Sequence, residues 1–120
     1  MFYITWPFYT MVNKFIELAT KRIKRKEQVA EIDIETPFVK YCKRNGCRAL
    51  KLIILNKRGF PDRTVLCPGS RVIFFEFKRK GKKQSGAQLI IMKLITSLDF
   101  EYHVCDEKGQ AESILDDFLL

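Results

Sequence analysis

Residues 59–78 read GFPDRTVLCPGSRVIFFEFK, and this stretch decides the fold. Two apolar runs, Thr64 to Leu66 and Val72 to Phe77, are rich in β-branched and aromatic residues and flank Pro68-Gly69, the pattern of a β-hairpin. Side chains two apart on a strand share a face. Glu76 and Lys78 therefore point one way, and Phe75 and Phe77 point into the opposite layer. With the turn centred on Pro68-Gly69, Asp62 falls opposite Glu76 to within one residue. Opposed positions hold Cβ atoms roughly 4.5–5.5 Å apart, so two carboxylates and one ammonium share a patch. Oxygen donors of this kind suit a hard cation such as Mg²⁺.

The surrounding charge sharpens the reading. Between Thr36 and Leu98 there are fifteen Lys or Arg and two acids, and the two acids are Asp62 and Glu76. A local negative pair inside a positive field is what a site needs to hold a cation while its surroundings attract phosphate. Glu-x-Lys alone is most often a solvated strand face, and Pro-Asp after glycine is usually turn chemistry. The two together, separated by a turn of the right length, are far more specific.

Gly59-Phe60-Pro61-Asp62-Arg63, then Phe75-Glu76-Phe77-Lys78, then Gly81, Ser85 and Gln88, resemble the VRR-NUC (virus-type replication-repair nuclease) domain, a branch of the PD-(D/E)XK nuclease superfamily. The similarity covers about Glu31 to Leu115 and leaves the first thirty residues outside. It implies an α/β fold, an αβββαβ core whose mixed sheet is flanked by helices. The implied activity is metal-dependent phosphodiester hydrolysis. A glutamate of the opening helix is matched by Glu35, or by Glu31 one turn earlier; the glycine after that helix is matched by Gly46. A glutamine in the helix after the lysine is matched by Gln88, whose amide can both donate and accept.

The rest of the chain fits one nuclease-sized domain, residues 31–120, preceded by an arm and basic helix, residues 1–30. A net charge of +8 on 120 residues argues for a polyanionic partner, nucleic acid before an acidic membrane. The opening MFYITWPFYTMV falls short of the ~20 apolar residues of a membrane span. It lacks a signal peptide's basic start and cleavage site, and Pro7 argues against one continuous helix. We read it as a poorly ordered arm or a strand-like extension that docks on a partner such as a second subunit. A helix from Met11 to about Glu27 runs into Lys21-Arg22-Ile23-Lys24-Arg25-Lys26. Cys42, Cys47, Cys67 and Cys105 form no C-x-x-C, and His103 is the one histidine. They read as reduced, partly buried thiols of a cytoplasmic protein rather than zinc ligands.

Ile32 to Asn45 reads as the first core helix, with Pro37 in its first turn and Glu35 at its N-terminal end. Arg48 to Leu55 reads as a strand, followed by the hairpin to give an antiparallel meander. A basic loop, residues 79–86, leads to Ser85 as cap of a helix from Ala87 to Leu98. Phe100 to Cys105 is a fourth strand, parallel to a neighbour because a helical crossover precedes it, and a last helix runs from Ala111 to Leu119.

These readings set the functional expectation: hydrolysis of DNA phosphodiesters with Mg²⁺ or Mn²⁺ held by Asp62, Glu76 and the Phe77 carbonyl. Glu35 would assist through water, Lys78 would position the attacking water or stabilise charge on the phosphate, and Gln88 would orient the site. Lys51, Arg63, Arg79, Lys80, Lys82 and Lys83 would grip the backbone without reading sequence. No helix offers base-reading residues, so structure-selective endonuclease cleavage of branched DNA, four-way junctions first, is expected. Stand-alone viral members of the family it resembles are dimers, and exposed apolar surface on residues 2–9 fits a homodimer. The rival expectation is a non-catalytic nucleic-acid-binding module in which Asp62, Glu76 and Lys78 form a structural network.

Overall fold

The computed structural model describes the backbone of residues 2–120 and the side chains of residues 11–21 and 31–120. The order of elements is α1 (Phe2–Arg44), β1 (Arg48–Leu50), β2 (Arg63–Cys67), β3 (Arg71–Phe77), α2 (Gly86–Ser97), β4 (Glu101–Cys105) and α3 (Gln110–Leu119). The chain divides into two compact units, Met1–Ala30 and Glu31–Leu120. The first is helical; on its described part Lys21 Nζ pairs with Glu17 at 3.2 Å, an i,i+4 bridge on the surface. The side chains of the aromatic opening and of most of the basic run Lys21 to Lys26 lie outside the described residues. No helix among the described residues is long and apolar enough to cross a membrane.

In the second unit the sheet order is β1-β2-β3-β4. β1, β2 and β3 form the expected antiparallel meander, and β4 joins β3 in parallel after the α2 crossover. The sheet is therefore mixed and flanked by helices, as the resemblance implied. The alternation of β3 sorts the core into two layers. Ile73, Phe75 and Phe77 enter a larger cluster with Phe38 and Cys42 of α1 and Ala111 and Leu115 of α3. Phe74, on the other face, packs with Ile91 and Ile95 of α2, joined by Phe60 and Tyr102. Glu76 shares that second face.

Three local expectations are corrected. The opening segment is helix, not a strand-like arm, so Pro7 does not break it. Pro37 does not sit in a first turn: residues 31–44 are helical, and Pro37 lies inside, where it has no N–H to offer the Asp33 carbonyl. α1 ends where expected, with Gly46 at φ 77, the Cys47 amide donating to Cys42 O at 2.9 Å and the Gly46 amide to Lys43 O at 3.3 Å. Lastly, the strand expected over Arg48 to Leu55 stops at Leu50. Leu50 is partnered by Thr64, so continuing the register would set Leu52 and Ile53 against Asp62 and Pro61. Proline has no N–H to donate, and β2 itself begins only at Arg63. The LIIL segment leaves the sheet because no ladder is there to receive it.

Candidate active site

The hairpin loop is Pro68-Gly69-Ser70, with Cys67 paired to Arg71 and Arg63 to Phe75. One step further along this register, Asp62 faces Glu76. Its carboxylate does more than face it: Asp62 Oδ2 accepts the Phe77 amide at 2.8 Å, fixing the acid to the end of β3. Pro61, buried just before it, limits the backbone freedom of the approach. The two acids that the sequence placed across from each other are thus held together by the strand geometry itself.

Glu76 is only 2% exposed, an extreme for a carboxylate. One oxygen, Oε1, accepts the Gln88 side-chain amide at 2.8 Å and lies 3.6 Å from Lys78 Nζ. The other, Oε2, has no hydrogen-bond partner among the described residues. Burial, then the neighbouring Asp62 carboxylate, pushes the Glu76 pKa up to about 8, against the lowering pull of Lys78. Two acids this close in a dry site resist being ionised together. A divalent cation would remove the conflict, and the orphaned buried oxygen is where such an ion has something to gain. The donor set therefore fits a hard cation, with Asp62 and Glu76 as its carboxylates. Among the described residues no group of three His, Cys, Asp or Glu side chains could hold an ion; waters and substrate oxygens would complete the shell.

Gln88 owes its position to the start of α2. Ser85 caps the helix, its hydroxyl accepting the Gln88 amide at 3.2 Å, and Gln88 Oε1 accepts the Ser85 amide at 2.9 Å, a full capping box. With its acceptor spent on the cap, the remaining Nε2 can only donate, and it donates to Glu76. Gly59 locks the same corner. It has φ +87, and a Cβ there would lie 2.4 Å from the Ala87 carbonyl carbon, so only glycine lets the entry to β2 touch the first turn of α2.

Other expected residues are placed differently. Glu35 is bound by Arg63, Nε to Oε1 at 2.7 Å, and Arg63 also reaches Ala49 O at 3.4 Å. Glu35 therefore stands one link from Asp62 through Arg63, and Arg63 is committed within the protein. Of Phe77, the amide is engaged by Asp62. Lys82 and Lys83 stand exposed on the loop before α2, and Lys51 stands exposed just after β1; Lys80 pairs at the surface with Glu107 at 3.6 Å. Arg79 is half-buried.

One further feature of this corner was not singled out by the sequence reading. Tyr102 of β4 sits beside Phe74 in the register, and its hydroxyl accepts the Gln84 side-chain amide at 2.9 Å. Burial and then the charge of Glu76 raise its pKa. The hydroxyl stays neutral and extends the polar wall of the site. Nothing in the local sequence distinguishes Tyr102 from a core aromatic, because its relation to Glu76 is made by the parallel crossover. The cysteines are buried and free, and burial pushes Cys42, Cys67 and Cys105 up to about 12, so they are unreactive packing groups.

The hairpin sets two carboxylates and a lysine at one end of a mixed sheet, buttressed by the next helix, which is the arrangement the sequence resemblance implied. A solved structure described as "VRR_NUC domain" matches 70% of this chain and 96% of its own length, with a TM-score of 0.60 at 22% identity. A phage protein, "Putative nuclease p44" of Acyrthosiphon pisum secondary endosymbiont phage 1, is 36% identical over 61 residues, which are 51% of this chain. The chain spans 66% of that relative's length. No protein-family model matches. The chain has the fold of a VRR-NUC domain.

Proposed function

We propose that the protein is a nuclease that hydrolyses DNA phosphodiesters with Mg²⁺ or Mn²⁺. One observation carries the reading: Glu76, buried beside Asp62, keeps an unpartnered oxygen in a site whose other groups are a lysine and an orienting amide. Asp62 and Glu76, with the Phe77 carbonyl, would hold the cation. When bound it supplies Lewis acidity toward the phosphate and toward water. The chain's own groups do the rest. Lys78, 3.6 Å from Glu76, is close enough to neutralise charge growing on a phosphate at that carboxylate. Gln88 keeps Glu76 in one rotamer, and Glu35 holds Arg63 next to Asp62. Lys51, Lys82 and Lys83 offer sequence-independent binding to phosphate, joined by Lys80 and Arg79.

Cleavage within branched DNA such as four-way junctions, by a homodimer, is the finer form of the proposal. A junction needs two symmetric cuts, and each chain supplies one acid pair. Leu89, Ile90 and Leu94 stand exposed on α2, an apolar face that a second copy could cover.

The test is cleavage of end-labelled duplex and junction DNA with Mg²⁺, Mn²⁺ or EDTA, by the parent and by Asp62→Asn and Glu76→Gln. Activity lost with EDTA and in both variants, with DNA binding kept, is the expected result. Cleavage by Glu76→Gln near the parental rate would overturn it. A monomeric mass with equal rates on duplex and junction would remove the branched-DNA form.

A further inference from the structure

The Leu52-Ile53-Ile54-Leu55 segment that fails to join the sheet leaves Ile53 87% and Leu55 85% exposed, unusual for side chains with no polar atom. The segment turns at Asn56, φ 61, with the Lys57 amide reaching Ile54 O at 3.4 Å. Lys51, Lys57 and Arg58 flank it, all exposed, and no acid occurs between Glu35 and Asp62. The base of the loop is fixed against the active corner: Gly59 touches the backbone of Ala87 and Gln88, and Phe60 packs edge-on to Phe74 at 6.0 Å. An apolar tip ringed by cations is therefore anchored three residues before Asp62.

Resting on the nuclease reading, we propose that Ile53 and Leu55 form a wedge that enters an opened base stack while the neighbouring cations bind the flanking phosphates. Aliphatic side chains inserted at base steps unstack and kink nucleic acid in this way, and they carry no hydrogen-bonding groups that could read base identity. The occupant is nucleic acid rather than a second copy of the chain. A two-fold contact through this tip would bring Lys51, Lys57 and Arg58 of one copy against the same three cations of the other. The phosphate backbone complements them instead. A branch point, where stacking is already broken, is the form of DNA that admits the wedge at least cost, so the loop supplies a physical basis for structure selection by an otherwise sequence-blind site.

The test compares the full-length parent with Ile53→Ser/Leu55→Ser, at exposed positions where folding is monitored by Tm and light-scattering mass. A four-way junction carries 2-aminopurine at its branch, and binding is followed in EDTA so that no cleavage occurs. The parent is expected to brighten the probe; the variant is expected to bind through the phosphates without brightening it. With Mg²⁺ or Mn²⁺, cleavage of the fully paired junction should fall about tenfold in the variant, the scale of unstacking a base step. Two unpaired bases at the branch should restore it. Equal brightening by both proteins, or no brightening by a parent that binds and cleaves, overturns the wedge and leaves the nuclease reading intact. A change in mass between parent and variant would assign the loop to a subunit contact, and retention of the parent alone on phosphatidylserine vesicles would assign it to a membrane. Either overturns the proposal. A parent that neither binds nor cleaves DNA defeats the underlying reading instead.

Discussion

Gln88 donates its side-chain amide to Glu76 at 2.8 Å while the same side chain closes the capping box of α2. One residue thus starts a helix and aims a carboxylate. Gln88→Ala removes both jobs, and we expect a drop of about 1 kcal/mol in stability from the cap, with a larger fall in cleavage. Gln88→Glu keeps an acceptor for the Ser85 amide but cannot donate to Glu76 when ionised. It should hold much of the stability and still lose activity. Urea denaturation run beside cleavage assays separates the effects; parallel declines in both variants would mean that Gln88 acts only as a cap.

Glu76 makes stability depend on pH with a definite sign. Its pKa stands near 8 in the fold, against 4.5 as its ordinary value. Between those values the folded protein holds a proton that the unfolded chain has released, so this group's contribution to stability falls as pH rises from 4.5 to 8 and then levels off. Glu76→Gln abolishes that slope. Its Tm should match the parent near pH 4.5 and exceed it by several degrees at pH 8.5. Divalent cation should narrow the gap by stabilising the parent alone. A gap independent of pH would show that the fold does not raise the Glu76 pKa.

Gly59→Ala tests the corner that joins the β2 entry to α2. The φ of +87 strains any other residue, and the added carbon would collide with the Ala87 backbone, which has no flexible end to move. We expect destabilisation of about 2 kcal/mol or more and failure of cleavage with it. Parental stability in thermal melts would show that the loop can shift away from α2.

For the basic loop, Lys82→Gln/Lys83→Gln should lower affinity for unrelated duplexes by similar factors and reduce the log–log salt slope by about 0.9 for each phosphate that is no longer neutralised. Lys80→Gln should do less, because its ammonium already has Glu107 at 3.6 Å. Fluorescence anisotropy over a salt series distinguishes these outcomes, and an unchanged slope in the double variant would place the loop away from the backbone.

The hairpin could be read from sequence because its signals are local: alternation in 71–77, a turn dipeptide, and two acids in a basic segment. The αβββαβ order and the Ser85 cap followed from the same kind of local pattern. What could not be read was decided at a distance. Glu35 looked free to serve the site, but its partner Arg63 lies 28 residues on. The run Leu52 to Leu55 has every property of a strand except something to pair with. Tyr102 reaches the site only because β4 lies parallel to β3. In each case the missing information was which neighbour tertiary structure would supply.

The site also dictates an order of events during folding. Asp62 meets the Phe77 amide across fifteen residues and Gln88 meets Glu76 across twelve, whereas the next amide, that of Lys78, is bonded to Cys105 O in the parallel strand, at 2.9 Å. Pairings that close short loops form sooner than those requiring a long crossover. We therefore expect adjacent amides to report successive stages: in pulse-labelled hydrogen exchange during refolding, Phe77 should become protected before Lys78. Simultaneous protection would mean that the hairpin waits for β4. In the expected order, a ribosome-bound chain has its two acids paired before the last strand has been synthesised.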